Sequence, residues 1–181
     1  MPCAYPKENT KGLLKLFVYG TLKRGYWNHD RFCQGVLSVE EAVVTGHLYQ
    51  FSSGIPILQV PEEHILAHGT SDPLADVATQ RRFTQHLAQH LALLPQDAPV
   101  GDWGRVCGEL LVFNDPQSRL PVVDRMEGFR PNMPSLYYRV LVPVNLKGRE
   151  IVASWVYVVL DPSKKEDLVE LRSSSWGSNA P

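Results

Sequence analysis

The chain reads as an α+β domain whose sheet curls back on itself. Three observations carry that reading: about six β-rich runs are spread along the chain, they show little regular βα alternation, and one long helical pattern interrupts them. A doubly wound sheet would instead need a helix after nearly every strand. At 181 residues the chain suits one domain with a sizeable core. The expected organisation is a flexible lead-in over 1–12, a single domain over 13–171 with a helical insertion at 59–103, and a flexible tail over 172–181.

Each element has its own signal. Leu13 to Tyr19 is an apolar run that reads as a buried strand. Asn28 is placed to cap a short helix from His29 to Gln34, with Gly35 as its stop. Glu41 to Phe51 is a second strand, with Val43, Thr45, His47, Tyr49 and Phe51 on one face. Ser52 to Leu58 turns and runs extended. From Gln59 the composition shifts to His, Gln and Ala, and Asp72 to Leu94 carries a helical period. Its apolar stripe is Phe83, Leu87, Leu91 and Leu94, and Asp72-Pro73 is a sound helix start. Pro95 to Gly104 is a loop, Arg105 to Phe113 a strand, and Asn114-Asp115-Pro116 its turn. Leu120 to Glu127 forms a short helical turn ended by Gly128. Tyr137–Leu146 and Glu150–Leu160 are long β-rich runs joined around Lys147-Gly148.

Composition excludes several functions. Hydrophobic residues make up 44% and charged residues 20%, the balance of a soluble globular protein. A net charge of −1 and no basic patch argue against nucleic acid and an anionic membrane as partners. No apolar run approaches membrane-spanning length, and the first residues carry no secretory pattern. Cys3, Cys33 and Cys107 are far apart with no CxxC pair, which argues against a disulfide framework or a zinc site and for a reducing cytoplasm. The pairs His64/His68 and His86/His90 stand four apart but lack a third ligand, so no metal and no cofactor is expected.

Two stretches carry chemistry. The first is Lys15–Gly25, "KLFVYGTLKRG", where a strand runs directly into glycine, a hydroxyl and two cations. Successive N–H groups at such a turn form a concavity suited to a carboxylate or oxyanion, and Gly20 lets the backbone approach a ligand. Thr21 adds a hydroxyl, and Lys23, Arg24 and Arg31 are expected to add positive potential. A plain turn with solvated cations has the same composition. The second is Leu120–Phe129, "LPVVDRMEGF": on a helix Glu127 shares a face with Val123 and Leu120, the face that should be buried. Burial disfavours the charged carboxylate and lifts its pKa into the range useful for proton transfer, with Asp124 adding to the rise. The alternative is a surface glutamate, or one paired with Arg125 or Arg139.

The ordered set "FVYGTLKRGYWNH", "GHLYQ", "GIPIL", "GELLVF", "VVDRMEGF", "YYRV" and "WVYV", covering most of Lys15 to Leu160, resembles the gamma-glutamylcyclotransferase-like family, in its gamma-glutamylamine cyclotransferase and AIG2-like branch. The resemblance implies a small, curled or closed mixed β-barrel with flanking helices. It implies that Tyr19, Gly20, Thr21 and Leu22 hold the gamma-glutamyl group and that Glu127 is the catalytic acid/base. The implied reaction converts a gamma-glutamyl amine or peptide to 5-oxoproline and free amine. A gamma-glutamyl amide carries its own nucleophile, the α-amine, so no Ser or Cys nucleophile is needed. Tyr138 is expected to face the site with Val140 and Val142 behind it, because Tyr138 and Arg139 cannot both point inward. A non-catalytic binding module of the same fold is the alternative, and the glutathione-specific branch fits "YGTL" least well. The 59–103 stretch either covers the pocket mouth or decorates the exterior, and the "RPNMPSL" loop is a second candidate for shaping the entrance.

Overall fold

The computed structural model describes residues 12–93, 102–148 and 150–177. The lead-in over 1–11 with Cys3, the stripe residue Leu94, the loop over 95–101 and tail residues 178–181 lie outside the described residues. The elements run β1 (Leu14–Val18), α1 (Trp27–Phe32), β2 (Ser38–Phe51), β3 (Pro56–Gln59), β4 (Ala67–His68), α2 (Pro73–Leu93), β5 (Gly104–Phe113), α3 (Pro116–Glu127), β6 (Tyr138–Leu146), β7 (Ile151–Val158) and β8 (Leu168–Glu170). Among the described residues no helix is long and apolar enough to cross a membrane.

Five strands close a mixed barrel in the order β2–β5–β1–β7–β6 and back to β2. Only the β1–β7 pairing is parallel. Closure removes the exposed edges that an open sheet of this length would present. The six runs read from sequence are β1, β2, β3, β5, β6 and β7; β4 and β8 are short additions that pair with β6 and β2.

Alternation along the strands divides the core in two. Phe17, Val44, Leu110, Val140, Val142 and Val156 form a cluster built from strand and adjoining loop residues, which is the barrel interior. Their sequence neighbours Leu16, Leu111, Leu141 and Trp155 point outward and pack with Val77 of α2 and with Leu120 and Val123 of α3. The two longer helices therefore cover one outer face of the barrel.

The insertion helix is integral to this arrangement. The parallel β1–β7 contact is a single register pair, Leu16 with Trp155, and backbone donors beside it need partners. Helix α2 supplies them: Lys15 N–H donates to Gln80 Oε1 (2.8 Å), Ala153 N–H donates to Thr84 Oγ1 (3.1 Å), and Gln80 Nε2 donates to Leu13 O (3.1 Å). The buried stripe of α2 thus includes the polar Asp76 and Gln80 beside the expected Leu87.

A buried charge cluster joins the layers. Arg139, 1% exposed, ion-pairs with Asp76 of α2 at 2.7 Å and with Asp124 of α3 at 2.8 Å. Its Nη2 also donates to Thr70 O (2.9 Å), and its guanidinium lies over the Trp155 ring. Thr70 in turn donates its N–H and hydroxyl to the Asp76 carboxylate. Removing one partner of such a cluster leaves the others buried and unpaired. Arg139→Ala is therefore expected to cost about 3–5 kcal/mol, read as a lower urea midpoint with unchanged slope.

Candidate active site

Where β1 leaves the barrel its chain reaches a cavity of about 490 Å³, closed on the other side by the end of α3. Gly20 accepts a hydrogen bond from Lys23 N–H (3.1 Å), which folds Gly20–Lys23 into a β-turn. The N–H groups of Gly20, Thr21 and Leu22 make no backbone hydrogen bond among the described residues, so three donors are grouped at one wall. Glycine is required by space: a Cβ on Gly20 would lie 2.7 Å from Pro56 Cγ. The Thr21 hydroxyl accepts from Asn28 Nδ2 (2.7 Å), which leaves its own proton free to donate.

Glu127 is the last residue of α3, and Gly128 ends the helix in the left-handed region at φ 71°. Phe129 N–H and Gly128 N–H close back onto Asp124 O and Arg125 O, a glycine-terminated stop that fixes where Glu127 projects. Val123 and Leu120, one and two turns back, are buried as the spacing predicts. Glu127 faces the cavity and is otherwise enclosed by protein. Burial raises its pKa from 4.5 to about 7, and the Asp124 carboxylate adds to the rise. Arg139 is committed to Asp124 and Asp76, so it does not restore an ordinary acidity to Glu127.

Three tyrosines line the cavity. Tyr19 Oη donates to Tyr157 O (2.8 Å), Tyr137 Oη to Pro56 O (2.8 Å) and Tyr157 Oη to Asp124 Oδ1 (2.6 Å). Burial pushes all three phenols upward in pKa, and the Glu127 charge adds to each rise. They remain neutral donors whose hydroxyls are spent on protein acceptors.

Tyr19, Gly20, Thr21, Leu22 and Glu127 therefore line one cavity, and Tyr138 does not. The cavity lies at the barrel rim under α3, so it takes Tyr137 and Tyr157 instead. Tyr138 accepts a hydrogen bond from Ser135 N–H and packs near Phe129. Arg139 lies on the opposite face of β6 from Val140 and Val142, as expected, and is buried there between the barrel and the helices because two distant aspartates neutralise it. Asn28 is not a helix cap: α1 starts one residue earlier, and the Asn28 side chain braces Thr21. Lys23 and Arg24 do not line the cavity: Lys23 Nζ donates to Trp176 O (2.7 Å) and Arg24 pairs with Glu109. Neither the insertion helix nor the "RPNMPSL" loop lines the cavity. The segment expected to fray is tied down over 172–177. Trp176 Nε1 donates to Gln50 Oε1 and Gly54 O, and the Trp176 ring is 5.1 Å from Tyr26. Trp27, Met126 and Trp176 are wall residues that no sequence signal marked. Among the described residues no three metal-type ligands gather.

A family model described as gamma-glutamyl cyclotransferase, AIG2-like, matches residues 16–77 and 62–178. The chain belongs to the gamma-glutamyl cyclotransferase, AIG2-like family. An AIG2-like protein from Mus musculus is 19% identical over 94% of this chain and 92% of its own, with a TM-score of 0.54, and shares the fold. A gamma-glutamyl cyclotransferase specific to glutathione, from yeast, is 12% identical over 93% of this chain and 74% of its own, with a TM-score of 0.48. No curated protein sequence matches the chain significantly. Family membership and fold support gamma-glutamyl cyclotransferase-like activity in general terms.

The raised acidity of Glu127 has a stability consequence. A carboxyl group whose pKa rises from 4.5 to about 7 on folding favours the native state fully below pH 4.5. That contribution is lost as pH climbs through 7. Glutamine does not titrate, so Glu127→Gln is expected to match the wild type near pH 5 and exceed it at pH 8.5. The gain is on the order of 2 kcal/mol, or about 4–8 °C in Tm by calorimetry.

Proposed function

We propose that this protein cyclises the gamma-glutamyl group of a gamma-glutamyl amine or peptide, releasing 5-oxoproline and the free amine. The observation that supports it most is one cavity holding a carboxyl group of pKa about 7 opposite a turn with unpaired backbone donors. The substrate's α-amine attacks its own γ-carbonyl carbon, forming the lactam C–N bond. The bond to the leaving amine then breaks. No water is consumed, and the protein need not supply a nucleophile.

Each residue has a task in this scheme. The amides of Gly20, Thr21 and Leu22, with the Thr21 hydroxyl, hold the α-carboxylate and the oxygen on which negative charge develops. A well-placed donor of that kind is worth about 3 kcal/mol in the transition state. Glu127 takes a proton from the α-ammonium and returns one to the departing amine, a role for which a pKa near the working pH is best matched. Holding the glutamyl chain folded back supplies the rest, since ring closure is favourable only in that conformer. The tyrosines exclude water and keep the cavity of low polarity, which strengthens both contributions.

The test is 5-oxoproline formation from a panel of gamma-glutamyl amines, dipeptides and glutathione. Wild-type protein is expected to release it, and Glu127→Gln to lose about 10²–10⁴-fold in kcat with an intact fold. Full activity in that variant would exclude Glu127 from proton transfer. The value of kcat/KM is expected to climb with pH through a limb near 7, as Glu127 ionises to act as base. A flat profile from pH 5.5 to 8.5 would contradict that role.

A further inference from the structure

The cavity is asymmetric in its chemistry. Its lining divides between a polar part, the Gly20–Leu22 turn and Glu127, and an apolar part, Trp27, Ile55, Met126 and Trp176. Trp27 is 65% and Ile55 50% exposed, a large apolar surface left open at the mouth. Such a surface beside a functional cavity marks a place where something apolar binds. Trp176 is held in place, through its indole N–H to Gln50 and Gly54 and through its backbone carbonyl to Lys23 of the turn.

Charge decides what the apolar part accepts. Glu127 is the only charged residue among those lining the cavity. The two cations that follow the turn are occupied, Lys23 by the Trp176 carbonyl and Arg24 by Glu109. A leaving group with a carboxylate, as in a dipeptide or glutathione, would meet no cation among the residues lining this cavity; Arg31 and Arg125 line a more open pocket beyond Trp27 and Met126. A leaving group with a second ammonium would meet no anion except Glu127, which is needed for chemistry. Taking either charge out of water without a partner is unfavourable. The tyrosine hydroxyls offer no rescue, since all three donate to protein acceptors.

Resting on the cyclotransferase reading, we propose that the amine released from this site is an uncharged-bodied apolar or aromatic monoamine, seated against Trp27, Ile55, Met126 and Trp176. The glutamyl head is fixed by the polar part of the lining, and the amine substituent is chosen by contact with the apolar part. Discrimination of this kind reaches about 10–200-fold for one methylene gained or lost in an apolar pocket.

The experiment compares kcat/KM for 5-oxoproline release from gamma-glutamyl benzylamide, butylamide, methylamide, glycine, ε-lysine and glutathione. Benzylamide is expected to exceed gamma-glutamylglycine, the ε-lysine compound and glutathione by tenfold or more. Trp27→Ala, at an exposed position that does not threaten folding, is expected to narrow the benzylamide-to-methylamide ratio at least fivefold. Equal or better turnover of the glycine, lysine or glutathione compound overturns the proposal and leaves the cyclotransferase reading standing. A ratio unmoved by Trp27→Ala removes the proposed seat. Binding to Glu127→Gln, followed by tryptophan fluorescence, tests the same preference without turnover: gamma-glutamyl benzylamide should bind at least tenfold tighter than gamma-glutamylglycine. If no amide yields 5-oxoproline, the cyclotransferase reading fails, and equal binding of those two ligands fails the amine preference separately.

Discussion

The buried guanidinium of Arg139 is the interaction on which the rest depends. It stands on the outer face of β6, where a lone cation would be strongly unfavourable, and two carboxylates from different helices make it tenable. Asp76 brings the insertion helix to the barrel, and Asp124 brings the helix that ends in Glu127. Tyr157 adds its hydroxyl to the same carboxylate and gives its backbone carbonyl to Tyr19. One chain of contacts thus runs from the insertion, through a charge cluster, to the strand that opens into the cavity.

That arrangement also explains how a carboxylic acid stays weakly acidic beside an arginine. Asp124 and Asp76 satisfy the cation, so the cluster offers Glu127 a negative neighbour and no positive one. Apolar enclosure then acts in the same direction. The same enclosure keeps the surrounding phenols protonated, so Glu127 is the group in the cavity lining placed to titrate near neutral pH. The turn achieves its polarity with backbone donors and the Thr21 hydroxyl, neutral groups that need no countercharge and no burial of a cation.

Much of this was legible in the chain. Glu127 announced itself by standing on a helical apolar stripe immediately before a glycine, because both signals are local. The turn at Gly20 was legible for the same reason, and the long helix by its period. The misreadings arise where long-range partners decide. Arg139 is buried only because Asp76 and Asp124 converge on it from positions far away in sequence. Tyr138 does share the inward face of β6 with Val140 and Val142, but the cavity lies at the rim beneath α3 and takes Tyr137 and Tyr157 instead. Asn28 has the composition of a cap but finds a better acceptor in Thr21. The Ser-rich stretch after Leu171 has the composition of a loose end, and nothing local marks Trp176 as a wall.

The parallel contact between the first and seventh strands carries a consequence for biogenesis. Leu16 meets Trp155, so the ring of strands is completed only when its last member has emerged from the ribosome. Contacts of such long sequence separation form slowly, and none of the earlier hairpins encloses the cavity by itself. A nascent or clipped chain lacking the final strands therefore has neither a closed barrel nor the Tyr157 and Trp176 walls of the cavity.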